Sequence, residues 1–270
     1  DIPGAFLDTA RNYGMGFSEQ CIGRVLRARG GLPKECLFST KLDRDFESNR
    51  FDGARARDSL HESLETLGLD RIPLLFFHDP EHARSLDEIT RPGGALDELF
   101  KMRDEEVVDA IGLGAGDVDV MIPILQERDF DVVLTHNRNT LLNRNANTMI
   151  DLCVSRGIAV INAGVYAGGI FATGSARNQY YVYQKASDAT LAKIRQIENL
   201  CLEHNVSLPA AALQYSVNDT RVLSTIIGIS RPERIASTQE LMTETIPNTF
   251  WDDLETLPKD MDNPENHRIL

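Results

Sequence analysis

Short apolar runs alternate with longer segments whose apolar residues recur every three or four positions, from one end of the 270-residue chain to the other. The runs at 5–9, 36–41, 73–78, 107–114, 131–136, 158–163 and 223–229 are mostly continuous rather than alternating. That is the pattern of parallel strands covered on both faces. Helical spacing marks 18–29, 52–67, 94–105, 118–127, 145–155 and 189–204, with two more helices at 208–217 and 232–243 flanking the last strand. Several boundaries carry their own chemistry. Ser18 and Glu19 offer a hydroxyl cap and an acid at a helix start, Gly157 stands where a helix-ending glycine belongs, and Pro232 suits a first helical turn.

Lys41 lies 33 positions after Asp8, His78 37 after Lys41 and Gly114 36 after His78. Each step has the length of one strand-helix-strand unit. Such alternation predicts a parallel sheet with helices outside. Seven strands fall one short of a closed eight-stranded barrel, and an open doubly wound sheet is the competing architecture. No G-x-G-x-x-G follows any strand, which counts against a Rossmann dinucleotide site. With no linker or low-complexity stretch, residues 1–270 read as one domain.

Composition narrows the function classes. A net charge of −13 disfavours nucleic acid or an anionic membrane surface as partner, since both would repel it. No apolar run approaches the ~20 residues that span a bilayer. Cys21, Cys36, Cys153 and Cys201 are scattered, without C-x-x-C or zinc-like spacing, and read as reduced thiols. A cytoplasmic protein is the expectation; composition says nothing positive about its substrate and leaves its oligomeric state open.

The stretch FLDTARNYGMGFSEQCIGR, 6–24, puts an acid and a phenol five residues apart at a strand-to-helix turn. Asp8 with Tyr13, Lys41 and His78 then fall at or just beyond the C-terminal ends of three consecutive strands, which converge on one mouth in a barrel. Singly, each has a bland reading as turn residue, surface charge or satisfied core histidine. Together they have a chemical logic. A phenol near pKa ~10 trades protons poorly at neutral pH, a nearby ammonium favours phenolate, and a carboxylate holds that ammonium. An imidazole beside them orients a substrate oxygen. In this reading Tyr13 moves the proton, Lys41 tunes it, Asp8 partners Lys41 and His78 sets substrate geometry. The missing ingredient is a redox cofactor.

DTARNYGMGFSE (8–19), STK (39–41), DSLHESLETLGLDRIPLLFFHDP (58–80) and ISRPERIAST (229–238) together resemble the aldo-keto reductases, in order and over nearly the whole chain. The resemblance implies a (β/α)8 TIM barrel binding NAD or NADP, with Asp8, Tyr13, Lys41 and His78 as the catalytic tetrad. In that family the Asp-bearing strand is the second. The resemblance thus implies a sequence that opens inside the fold, without the first strand-helix unit. VVLTHNRNTLLNR and INAGVYAGGIFATG look like the branch of aldose (L-fucose, L-galactose, D-threo-aldose) 1-dehydrogenases and pyridoxal 4-dehydrogenase.

The same resemblance assigns cofactor contacts to Asn137, Gly164, Tyr166, Gly228, Ser230, Arg234 and Thr238. Where many members have a Ser-Asn pair for the carboxamide, this chain has Gly114-Ala115. Asn137, at the next strand end, can supply that hydrogen bond. Gly228 stands where NADPH-preferring members carry Lys, and Ser237-Thr238 where Glu and Asn are common, which puts NAD ahead of NADP. Arg234 keeps a guanidinium able to grip phosphate. The expected activity is an NAD(P)-dependent aldose 1-dehydrogenase. The alternatives are an enzyme of pyridoxal or another small aldehyde, and a cofactor-sensing barrel with little turnover. A hydrolase using Asp8 and His78 lacks a placed second carboxylate or metal ligands.

Overall fold

The protein is described by a computed structural model over residues 4–266, so both ends of the expected 1–270 domain lie outside the described residues. The chain divides after Val133 into two compact units. The first contains β1 (Phe6–Asp8), α1 (Phe17–Arg29), β2 (Leu37–Leu42), α2 (Gly53–Leu67), β3 (Ile72–His78), α3 (Leu86–Thr90), α4 (Ala95–Asp104), β4 (Val108–Ala115) and α5 (Val118–Glu127). Its four strands pair in chain order and all are parallel. Helices separate consecutive strands, the connection a parallel sheet requires.

Burial explains the apolar runs. In β3, Leu75, Phe76 and Phe77 are fully buried, and Phe77 stacks on Phe51 with ring centroids 4.3 Å apart. Helix α2 is capped by Asp52, whose carboxylate accepts the Arg55 N–H at 2.9 Å. Gly112 of β4 has a packing role: a Cβ there would run into the Phe76 ring and crowd Val132. The missing side chain leaves that ring the space it occupies.

The second unit begins within β5 (Val132–His136) and continues through α6 (Asn147–Ser155), β6 (Ala159–Ala163), α7 (Ile170–Thr173), the hairpin β7 (Tyr180–Tyr181) and β8 (Gln184–Lys185), α8 (Asp188–Glu203), α9 (Leu208–Val217), β9 (Ser224–Ile226), α10 (Glu233–Thr243) and α11 (Asn248–Thr256). β6 pairs in parallel with β9, Ile161 opposite Ser224. Phe171, Ile194, Ile197, Phe250 and Leu254 form its core, and Trp251 meets Phe250 edge-on at 5.0 Å. The stretch from Pro247 thus packs as an integral helix. Among the described residues no helix is long and apolar enough to cross a membrane.

Three local expectations need correcting. Helix α1 is entered through Gly16, at φ 88°, with no side-chain cap, and the Ser18 hydroxyl instead pairs with Thr9 Oγ1 at 2.8 Å. Tyr13 through Gly16 already form a chain of tight turns, so the helix starts before a serine cap is needed. Pro232 stands one residue before α10, at helical backbone angles and with no side-chain cap, rather than inside its first turn. The last strand covers only 224–226 of the expected 223–229: it pairs with β6 at those three positions, and 228–230 are exposed. Gly157, at φ 71°, does follow the end of α6.

Replacing Gly112 by Ala is expected to displace the Phe76 ring and destabilise the fold by about 1–3 kcal/mol, the usual cost of overpacking a dense core. Thermal or denaturant unfolding of the variant against the parent measures this directly.

Candidate active site

Alternate residues of a strand share a face, and that rule builds the first unit's polar cluster. Asp8 of β1 pairs with Ser39 of β2, and Lys41, two residues on, pairs with Phe76 of β3. His78 is two residues beyond Phe76. One face therefore presents Asp8, Ser39, Lys41, Phe76 and His78 in neighbouring positions. Lys41, only 1% exposed, donates to both Asp8 carboxylate oxygens at 2.8 and 2.7 Å and to the Thr9 carbonyl at 2.7 Å. All three of its N–H bonds are used. Asp8 also accepts from the Ser39 hydroxyl at 2.6 Å. A buried ammonium costs several kcal/mol unless so partnered.

Tyr13 stands on the turn between β1 and α1, 41% exposed. Met15 at φ 54° and Gly16 at φ 88° fold that turn back on itself. Its ring centroid lies 4.7 Å from Lys41 Nζ, so the ammonium faces the aromatic π-system. The His78 ring meets it nearly perpendicularly, centroids 6.0 Å apart. The structure brings all four predicted tetrad residues together.

A fifth group escaped sequence reasoning. Asp43, just past β2 and 1% exposed, lies 2.7 Å from His78 Nδ1 through Oδ1 and accepts the Asn12 N–H at 2.9 Å through Oδ2. The signal was available: Leu42 pairs with Phe77, so one more step of register sets position 43 beside 78 on the Lys41 face. Burial works against a charged His78, but the carboxylates of Asp79 and Asp43 outweigh it and hold the imidazole above its ordinary range.

The second unit holds a cavity of about 610 Å³ lined by Asn137, Gly164, Tyr166, Gly228 and Arg234, with Arg177, Asn178 and Tyr183 from the segment around the β7–β8 hairpin. Five of the seven sequence-assigned cofactor positions therefore share one cavity. Ser230 is exposed and Thr238 lies along α10; neither lines it. Arg177, Asn178 and Tyr183 were missed because residues 175–185, the hairpin and the segment leading into it, carry no periodicity. Asn137, at φ 62°, is 2% exposed, and its Oδ1 has no hydrogen-bond partner among the described residues. A Cβ on Gly164, itself at φ 65°, would stand 2.6 Å from that oxygen. An unsatisfied buried acceptor, a glycine-floored recess and two guanidinium groups suit an amide-bearing, phosphate-rich ligand, so a nicotinamide dinucleotide fits this donor set.

The sequence model of the Aldo/keto reductase family matches residues 3–258. The chain belongs to the aldo/keto reductase family. Among relatives of this reductase is D-threo-aldose 1-dehydrogenase of a Pseudomonas species, 33% identical over 92% of this chain and 82% of the relative. Pyridoxal 4-dehydrogenase of Microbacterium luteolum is 27% identical over 93% and 83%. In structure this chain is similar to an aldo-keto reductase of Bacillus halodurans in its holo form, with TM-score 0.76 and 20% identity over 98% of this chain and 85% of that one. The glycerol dehydrogenase of Gluconobacter oxydans gives TM-score 0.68 at 18% identity, over 93% and 80%. The fold class is thus the (β/α) barrel of the family, and the chain is an NAD(P)-dependent oxidoreductase of aldo-keto reductase type.

Two acids of the first unit, Glu19 buried and Glu81 half-buried, depart from ordinary carboxylate behaviour. Glu19, in the first turn of α1, accepts the Thr40 hydroxyl at 2.5 Å, and burial raises its pKa. Glu81 accepts the backbone N–H groups of Gly116 and Asp117, both at 3.1 Å. Burial first, then the charge of Asp79, pushes Glu81 up to about 7. An acid raised by folding holds its proton more tightly in the native state than in the unfolded chain. Stability therefore falls as pH rises from about 4.5 to about 7, and the loss is complete above that window. Glu81→Gln keeps an amide oxygen for the two N–H donors and removes the charge. It is expected to match the parent near ~pH 4.5 and exceed it by on the order of 1 kcal/mol near ~pH 8, as read by urea unfolding at both pH values.

Proposed function

We propose that this reductase oxidises a small sugar at its anomeric carbon, or runs the reverse reduction, with Tyr13 as general acid and base. The observation that carries this reading is the buried Lys41 ammonium, fixed by Asp8 and facing the Tyr13 ring at 4.7 Å. When bound, the nicotinamide dinucleotide takes up or supplies the hydride. In oxidation the anomeric hydroxyl gives its proton to Tyr13 as the carbon gives up hydride; in reduction Tyr13 returns it. The Lys41 charge favours the negative charge that develops on the phenol oxygen as its proton leaves. Asp8 keeps the ammonium from turning away, and His78 hydrogen-bonds the reacting oxygen and orients it.

Asn137 is proposed to hold the carboxamide, Gly164 and Tyr166 to form the bed of the nicotinamide, and Arg234, with Ser230 and Thr238, to meet the adenosine phosphate. Gly228, where a lysine would favour NADP, supports NAD as the preferred form. One family match running through both units supports reading the chain as a single domain. A cytoplasmic setting belongs to the same reading; Cys21, Cys36, Cys153 and Cys201 are all free. The aldose assignment is supported by the 33% identical relative, and the pyridoxal 4-dehydrogenase relative favours pyridoxal as the second substrate to test.

The test follows reduced-nicotinamide absorbance while aldoses, pyridoxal and other small aldehydes are screened with NAD and with NADP. Turnover of an aldose is expected, with NAD the better cofactor. Cofactor binding without turnover across the panel would leave the cofactor-sensing alternative. Tyr13→Phe is expected to lower kcat by about 10²–10⁴-fold while still binding dinucleotide, and an undiminished kcat would remove the proposal's basis. Gly164→Ala, which forces a Cβ onto Asn137 and strains a positive φ, is expected to weaken dinucleotide binding at least ~10-fold by fluorescence titration.

A further inference from the structure

Asp43 is among the most fully tethered side chains of the first unit. Its backbone N–H donates to Ser59 Oγ at 2.9 Å, and its carbonyl accepts from Arg55 Nε at 3.2 Å. Arg55 is itself held by Glu62 through both terminal nitrogens. Residues of α2 thus fix the backbone, and each carboxylate oxygen has its own partner: His78 Nδ1 for one, the Asn12 N–H for the other. Asn12 precedes Tyr13. One buried carboxylate therefore spans from the imidazole to the turn that carries the phenol.

We propose that Asp43 is the positioning residue of this active site, fixing the tautomer of His78 and the turn beneath Tyr13 together. The proposal rests on the role given to His78 above. A carboxylate only accepts, so the His78 nitrogen facing it carries hydrogen, and the neutral ring is the Nδ1–H tautomer. Asp43 at 2.7 Å from Nδ1 is closer than Asp79 at 3.5 Å from Nε2, so Nε2 is the nitrogen less tightly held and the one that turns to substrate. The groups facing the ring are Asp43 and Lys41 from the β2 segment, Asp79 from its own, with Oδ2 3.5 Å from Nε2, and the Tyr13 ring from the β1–α1 turn. The Lys41 charge is already paired with Asp8. The surroundings thus favour the imidazolium, whose Nε2–H donates to a carbonyl oxygen. Loss of that proton turns Nε2 into an acceptor suited to a substrate hydroxyl. Asp43 thereby sets the pH above which the site changes from favouring reduction to favouring oxidation.

The experiment is a pH titration of ¹⁵N-histidine-labelled protein by NMR without cofactor, with His78→Gln assigning the signal among the six histidines. The parent is expected to show Nδ1–H when neutral, and Asp43→Asn to titrate about one pH unit lower or more, with Asp43→Glu partly restoring the midpoint. The basic limb of kcat/KM for carbonyl reduction should move with it, leaving Asp43→Asn roughly tenfold slower once that limb is passed. An Nε2–H tautomer in the parent overturns the proposal with no variant needed, and so does an unchanged midpoint in Asp43→Asn. The NMR result stands apart from turnover: the expected spectra with no activity on any substrate would refute the sugar-oxidising reading and leave the pairing intact.

Discussion

The ion pair between Lys41 and Asp8 is the constraint on which the first unit's chemistry depends. An ammonium 1% exposed is tolerated only if its hydrogen bonds and its charge are both answered, and here they are, by two carboxylate oxygens and one backbone carbonyl. Fixed in this way, the Lys41 ammonium faces the Tyr13 ring at 4.7 Å and sets the electrostatic field in which that side chain works. The ammonium is consequently immobile. Removing Asp8 would leave a bare charge in a buried place, so the pair stands or falls together.

The period of two along parallel strands turns this pair into a site. Asp8, Lys41 and His78 are far apart in sequence but share a face because β1, β2 and β3 pair without crossing. Their grouping could be read in the sequence, since three strand ends at near-equal spacing predict convergence. Asp43 was equally readable by register but belongs to a Leu-Asp-Arg-Asp run whose acids look like ordinary loop residues. Its burial comes from Ser59 and Arg55 of α2, and nothing local announces that contact.

Elsewhere legibility follows the range of the forces involved. Long helices such as α2, α5, α8 and α9 are found within a residue of the periodicity's prediction, because an apolar stripe records its own burial. Short elements are not. Helix α7 has four residues, and β7 and β8 two each; their backbones are held by tertiary contacts such as Val182 N–H to the Ala167 carbonyl at 3.0 Å. Ser18 shows the same limit at a helix start. Its hydroxyl found Thr9, nine residues away, in place of a backbone N–H. The family motifs located most of the second unit's cavity, while its hairpin side is set by tertiary contacts that leave no local pattern.

The close approach of Gly164 to Asn137 has an evolutionary corollary. Asn137 fills the volume a Cβ at 164 would require, and both residues sit in left-handed backbone that most side chains avoid. A bulkier residue at 164 would have to displace the Asn137 side chain, and the Asn137 backbone nitrogen 3.0 Å away and the positive φ would still oppose it. Glycine should therefore persist at 164 among descendants of this sequence, whatever side chain stands at 137.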